Sequence, residues 1–488
     1  MNAVGQAAGV PTNADGPGDA TALLSGEEAA APADSTTAGD GGPSTSDTPS
    51  AHGAGTPAAG SVGRAGPAAA TASPNSPSAP GAGKANDRAT AQPGGGVPGA
   101  GPGSPQPTPG GGATDVGVTD KTIKLGTFHV LSGPLAPLTG RDSFPTFQAA
   151  LQEINANGGI HGRKLEFVVG DTKIDPPTGL AAVKKMVEQD KVFAISGMFD
   201  PYTCNVIGSY VDQVKLPVVG CDGSLPDTWG HPWLWTLGAG QRSWSHVAAK
   251  FMLEKGWKSV SLLTHTDVSY DPGIAEFDLA MKAGGGKVRR VIRVPFDHAD
   301  YTPQLVQIRS DNPDGVYQWL HPDQAIKLLL AEQRAGYKPN QLFSPESAPR
   351  AVPQSVGKFA EPFYIFGAGK AWDNNSSDAG WRRALSIVRQ RAGKNVDFHN
   401  WPGFTFTGMM VFAEGAKRVG PNLTRTALKQ VLDTTTFQVD SFFDLRWEPT
   451  HKCPSSYRLG FLQFVDNDYK ELPPIDDPYA SSPERSCY

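Results

Sequence analysis

Ile154-Asn155-Ala156-Asn157-Gly158-Gly159-Ile160-His161-Gly162-Arg163-Lys164-Leu165 is the stretch on which the reading of this 488-residue chain turns. Upstream of it, Phe144, Phe147, Leu151 and Ile154 are spaced i, i+3, i+7 and i+10, so one face of a helix is buried. Gly158 or Gly159 ends that helix, because a left-handed C-terminal residue costs glycine little. Downstream, Lys164–Gly170 alternates through Leu165, Phe167 and Val169, which predicts a strand. The stretch is therefore a helix stop followed by a tight turn into a strand. Ser143 can cap the helix, with Pro145 tolerated in its first turn. Before it, Thr122–Val130 alternates as a strand.

The same alternation continues outward. A helix opened by Pro176-Pro177 leads to Val192–Ser196, a short apolar run of the kind buried on both sides in a parallel sheet. A helix through Val206, Ile207, Tyr210 and Val211 leads to a strand at Pro217–Gly220. Further helix–strand units follow, through Lys258–Thr264, Lys287–Val294 and Asp314–Trp319, to Pro362–Phe366. Helices are expected near Ala379–Ala392, Phe404–Arg418 and Arg425–Leu432. Two strand-like runs close the chain, Phe437–Trp447 and Tyr457–Val465. Repeated βα units predict an α/β fold, with parallel sheets covered by helices on both faces.

Residues 1–118 contain no Phe, Trp, Tyr, Ile or Cys, and all 43 aromatic residues lie beyond them. A stretch of Gly, Ala, Pro, Ser and Thr buries too little apolar surface to offset the entropy of ordering, about 1–2 kcal/mol per residue. It is expected to be a disordered tether. Net charge is −5, and the densest basic stretch, Arg382, Arg383, Arg389 and Arg391, reads as a solvated helix face. A nucleic-acid partner would leave a larger basic footprint.

Cys204, Cys221, Cys453 and Cys487 are even in number and form no C-x-x-C pair, which suits two disulfides in an oxidising compartment. Each pair that shares a region of the chain is expected to bond, Cys204 with Cys221 and Cys453 with Cys487. No apolar run reaches the ~18 residues of a membrane span. Met1-Asn2-Ala3-Val4 lacks the charged and apolar regions of a signal peptide, although export would require one.

Enzyme signatures fail in turn. None of the five Gly-Lys pairs is followed by Ser or Thr, so there is no P-loop. The only G-x-G-x-x-G, Gly94 to Gly99, lies in the tether with no strand before it. No G-x-S-x-G elbow occurs. The ten histidines come no closer than the 15 residues between His231 and His246, which excludes a local H-x-x-x-H metal pair. Only a constellation assembled from distant segments stays open.

Leu131-Ser132-Gly133-Pro134-Leu135-Ala136 after the first strand, followed by the Asn-x-x-Gly-Gly-Ile-x-Gly-Arg-Lys-Leu turn, resembles the type I periplasmic binding proteins, in particular the branched-chain amino-acid (leucine/isoleucine/valine) receptors of ABC transporters. The resemblance covers about residues 119–470. It implies two doubly wound, Rossmann-like lobes joined by three hinge crossings, near Thr236–Gly238, Gly367–Gly369 and Asp440–Phe443. One lobe would be 119–236 plus 370–439, the other 240–366 plus 444–470, with 471–488 as a C-terminal extension. It also implies a non-catalytic, monomeric, extracytoplasmic receptor without cofactor or metal. Such a receptor closes around a small amino-acid-like solute and presents it to an ABC permease, touching the membrane only through its tether or that permease. The alternative is a ligand-sensing domain of the same fold.

The resemblance further implies where the ligand sits. On the first lobe, Tyr202, Thr203, Gly223 and Ser224 match the loops whose hydroxyls and backbone N–H groups hold a ligand carboxylate at helix starts, and Leu138 matches a position at the cleft mouth. Asp200 and Asp222 depart from the family there, since a carboxylate in that pocket would repel another. On the second lobe, Glu346 matches the carboxylate that pairs with the ligand's amino group. Tyr270 matches an aromatic packed on the ligand, and His321 falls at or beside another.

Overall fold

The computed structural model describes residues 112–367, 369–370, 372–442, 444–447, 454 and 458–476. Strands β1 (Thr122–His129), β2 (Lys164–Asp171), β3 (Ala194–Ser196), β4 (Val218–Cys221) and β5 (Leu234–Thr236) form a parallel sheet in the order β2-β1-β3-β4-β5. Every residue of β3 and β4 is buried, as strands covered on both faces require. A second sheet contains β6 (Ser259–His265), β7 (Lys287–Val294), β8 (Gly315–Gln318), β9 (Gln341–Phe343), β10 (Phe363–Gly367), β11 (Arg458–Val465) and β12 (Asp468–Asp476). Its order is β12-β11-β10-β9-β8-β6-β7, parallel from β7 to β10 and antiparallel through β11 and β12.

Helices α1 (Ala136–Ala156), α2 (Pro176–Glu188) and α3 (Pro201–Val214) connect strands of the first sheet. Those of the second are connected by α5 (Asp271–Ala283), α6 (Thr302–Asp311), α7 (Pro322–Ala335) and the short α8 (Ala351–Gln354), while α4 (Gln241–Glu254) leads into it. After β10 the chain returns to the first sheet through α9 (Ala379–Arg391), α10 (Asn400–Val419) and α11 (Arg425–Thr434). There α9 and α10 pack on α1, and α10 also on β4. The chain thus passes between the sheets three times, after Thr236, after Gly367 and before Arg458. This is a doubly wound α/β architecture in two halves.

The opening stretch has a mechanical explanation. Asn155 pairs its side chain with Leu165 as a strand would, Nδ2 donating to the Leu165 carbonyl at 2.9 Å and Oδ1 accepting its N–H at 2.7 Å. Gly159, at φ +73°, lies where an added Cβ would meet the Arg163 carbonyl at 2.0 Å, so only glycine fits. The fully buried Arg163 donates to the carbonyls of Thr119, Pro421 and Gly112 at 2.7, 2.9 and 3.1 Å. The arginine of the turn staples two distant segments to the sheet edge.

Several expectations need correction. Residues 112–118, assigned to the tether, belong to the fold: Val118 is 2 % exposed, and Asp115 accepts the Arg425 N–H at 2.7 Å. Residues 1–111 lie outside the described residues. The first helix starts at Ala136, not Ser143, because Pro137 suits its first turn and the Thr139 and Ser143 hydroxyls bond back to carbonyls four residues earlier. Among its described residues, Phe437–Trp447 forms no strand but holds isolated bridges, Phe437 to Leu445 and Trp447 to Pro454. The sheet continues past residue 470, because β12 folds back on β11 as far as Asp476.

Cys204, in the first turn of α3, is bonded to Cys221 at the end of β4, with Cα atoms 5.9 Å apart. Cys453 and Cys487 lie outside the described residues. A cross-link over 17 residues restrains the unfolded chain by about 3 kcal/mol. The double variant Cys204→Ser/Cys221→Ser is accordingly expected to lose about that much stability in a urea melt. An unchanged midpoint would show that the bridge restrains nothing.

Candidate ligand-binding cleft

Between the two halves lies a cavity. The carboxyl ends of the strands supply its walls, as open α/β sheets lead one to expect. From the first half come Leu135 and Thr139 at the start of α1, Phe199 and Tyr202 after β3, and Asp222 and Ser224 after β4. The start of α10 adds Asn400, Trp401 and Phe404. From the second half come Trp244, Tyr270, His321 and Glu346. Phe199 stacks on Trp401 with ring centroids 5.0 Å apart, and Tyr270 stands edge-on to Trp319 at 5.1 Å.

A polar contact joins the halves across this space. The Tyr202 hydroxyl, at the start of α3, lies 3.2 Å from Nε2 of His321, the residue before α7. Beside it, Glu346 Oε1 accepts the Tyr270 hydroxyl at 3.0 Å and the Trp319 indole N–H at 3.3 Å. Oε2 accepts no hydrogen bond. Near it stand two imidazoles, His265 Nε2 at 3.7 Å and His321 Nε2 at 4.0 Å. His265 is fully buried and neither of its ring nitrogens has a hydrogen-bond partner. Burial raises the Glu346 carboxyl above its ordinary range and pushes the His265 imidazole down to about 3. Burial, and then His265 beside it, lowers His321 as well. Both rings are neutral near pH 7.

The opposite wall is also acidic. Asp222 is 9 % exposed, and its Oδ2 accepts the Ser224 hydroxyl at 2.7 Å. Burial pushes this carboxyl up to about 6. Asp200 is turned away from the cavity and caps α3, accepting the N–H groups of Tyr202 at 3.0 Å and Thr203 at 3.3 Å. Among the described residues that line the cavity there are two carboxylates and no Lys or Arg.

A family model described as periplasmic binding protein matches residues 122–461. The chain belongs to that family. Periplasmic binding proteins similar to it include the Leu/Ile/Val-binding protein of Escherichia coli K12, 26% identical over 248 residues. That match spans 50% of this chain and 66% of the relative, so the chain covers somewhat less than two thirds of it. The Leu/Ile/Val/Thr-binding protein of Salmonella typhimurium is 27% identical over the same length, covering 50% of this chain and 67% of the relative. Among solved structures, a leucine-binding protein from Thermotoga maritima superposes with a TM-score of 0.62 at 16% identity. The superposition covers 73% of this chain and 99% of that one. A solute-binding protein of R. palustris in complex with benzoate superposes with a TM-score of 0.63 at 16% identity, over 74% and 99% of the two chains. At these identities the superpositions establish the fold alone.

Within the binding-protein fold, the eight residues singled out from sequence divide. Tyr202, Ser224, Tyr270, His321 and Glu346 border one cavity. Thr203 does not, because its hydroxyl donates to Asp200 Oδ2 at 2.7 Å and completes the helix cap. Gly223 does not either: it turns at φ +78°, and its carbonyl accepts the Trp229 indole N–H at 2.8 Å. Leu138 borders a separate charged cavity beside Arg141, Asp142 and Arg350. Its neighbours Leu135 and Thr139 face the cleft instead. Sequence reasoning missed Phe199, Trp244, Asn400, Trp401 and Phe404. The only available signal was His399-Asn400-Trp401-Pro402, a helix start with aromatic residues in its first turn, and the predicted helix began at Phe404.

Proposed function

We propose that this chain is the extracytoplasmic solute-binding receptor of an ABC importer, closing its two lobes around a small amino-acid-like solute and presenting it to a permease. The lobes of this reading are 112–236 plus 370–439 and 240–366 plus 444–476. Membership of the binding-protein family supports the receptor role, and no catalytic chemistry is invoked. One observation carries the ligand class: the cavity presents Glu346 and Asp222 but no Lys or Arg. An anion such as a benzoate would meet no countercharge there. A solute with an amino group finds one at the unpartnered Oε2 of Glu346. Its apolar part rests on Phe199, Trp401 and Trp244.

The placement of Tyr202 and Glu346 on different lobes supports closure, since both touch a ligand only when the lobes meet. The test is mass spectrometry of solute carried through purification, followed by thermal melts of the stripped protein with amino acids, amines and aromatic acids. Amine-bearing solutes are expected to raise the melting temperature with concentration and to be recovered unchanged. A rise with aromatic acids alone would refute the amino-acid-like ligand. Conversion of the solute would refute the receptor.

A further inference from the structure

Three groups at one corner of the cleft are incompletely satisfied by the chain itself. Glu346 Oε2 and both ring nitrogens of the fully buried His265 have no hydrogen-bond partner. A buried polar group without a partner is costly, and a neutral imidazole with two unused nitrogens is especially rare. His321 brings a third donor, with Nε2 4.0 Å from the same Oε2. One ligand atom from each of the three residues lies within 4.8 Å of the others. Three protein ligands around a tetrahedral ion with bonds of about 2.0–2.2 Å lie about 3.3–3.6 Å apart. The observed His265 separation of 3.7 Å is near that geometry, and the wider ones need side-chain shifts of up to about an ångström.

The elements that carry these residues suit the role. His265 ends β6, His321 precedes α7 and Glu346 follows β9, so all three project from the carboxyl edge of one sheet. Tyr270 and Trp319 donate to Oε1 alone. They fix the carboxylate and leave Oε2 turned toward the imidazoles, as outer-sphere partners of a metal ligand do. The Tyr202 hydroxyl near His321 Nε2 is the one contact that must give way, and it comes from the other lobe. Asp222 adds negative potential to the same cavity.

We propose that His265, His321 and Glu346 bind a late first-row divalent metal ion, of the zinc, nickel or copper class, whose remaining coordination positions open into the cleft. Two imidazoles and a carboxylate suit these ions rather than magnesium or calcium, which take oxygen ligands. The inference rests on the receptor reading and deepens it. The solute's amine, with its carboxylate, then meets the corner as a chelate of the ion rather than as a bare ammonium. The ion arrives either alone or already chelated.

The test uses the full chain, stripped with a chelating resin and checked for an unchanged melt. Zinc, nickel and cobalt(II) ions are titrated by calorimetry, each alone and then as a preformed glycine chelate, and cobalt absorption reports the coordination. One ion per chain is expected, with no binding of magnesium or calcium. Tighter binding of the chelate than of the ion would identify the cargo as the complex, and equal binding as the ion. Losing a ligand should weaken zinc by at least the ~10–100-fold that follows loss of an outer-sphere partner, so Glu346→Gln and His265→Ala should both fall by that factor. If His265→Ala does not fold, the near-isosteric Glu346→Gln decides. A folded parent that binds no ion, or variants that bind it equally well, overturns the metal site. If amine-bearing solutes still bind that metal-free protein, the receptor reading stands alone. If metal binds and no solute does, the metal site stands and the amino-acid-like ligand falls.

Discussion

Glu346→Gln is expected to weaken solute binding by about 1–3 kcal/mol, the scale for losing a charge-assisted contact. The substitution preserves the acceptor for Tyr270 and Trp319 at Oε1, so the fold should keep its melting temperature in the absence of solute. With solute, the parent's melting temperature climbs with concentration, because the ligand binds the native state alone. The variant's should climb far less at equal concentration. Equal climbs in both proteins would remove Glu346 from the site.

A second substitution acts on stability and not on binding. Glu332 lies fully buried in α7, with Oε2 accepting from Gln341 Nε2 at 3.0 Å and Oε1 without a partner. Burial pushes its carboxyl up to about 8 from the ordinary 4.5. Between those two pH values the folded protein holds a proton that the unfolded chain has released. Stability therefore falls as pH rises through that window, by up to about 1.4 kcal/mol per pH unit, and the penalty is complete above the folded value. Glu332→Gln keeps the shape and the acceptor while removing the charge. It is expected to stabilise the protein by about 1–3 kcal/mol at pH 8, less than the full linkage because the site relaxes, and to change little at pH 4.5. Urea melts at the two pH values decide. A variant less stable than the parent at pH 8 would mean that Glu332 is ionised and paired.

The division of the chain into two sheets was legible because each βα unit carries its own local marks: apolar alternation, a proline or polar cap, a glycine stop. Asn155 and Gly159 advertise the turn between α1 and β2, since each answers a constraint within ten residues. Arg163 does not explain itself in the same way. Its partners at 112, 119 and 421 are chosen by the fold. The cleft shows the same contrast. Five residues expected from family likeness do border it, whereas Trp244 and Trp401 reach it from helices whose sequences look like any buried face. Thr203 and Gly223 were misplaced because a hydroxyl at a helix start and a glycine at a turn look alike whether they face a solute or a backbone. His265 went unremarked for the opposite reason. Within the strand Lys258–Thr264 and its end, nothing marks a buried imidazole as lacking a partner until the residues 56 and 81 positions further on, His321 and Glu346, are brought to it.

The bridge between Cys204 and Cys221 ties the start of α3 to the end of β4, so Tyr202 and the Asp222–Ser224 loop form one covalently braced platform. That platform belongs wholly to the first lobe and stays assembled whatever the second lobe does. Arrival and residence are thereby separated. A solute entering the open cleft meets a finished floor, so its capture rate depends on diffusion and not on the ordering of loops. On the receptor reading proposed above, how long it stays depends on the other lobe, through His321 and Glu346, and release requires only that this lobe lift.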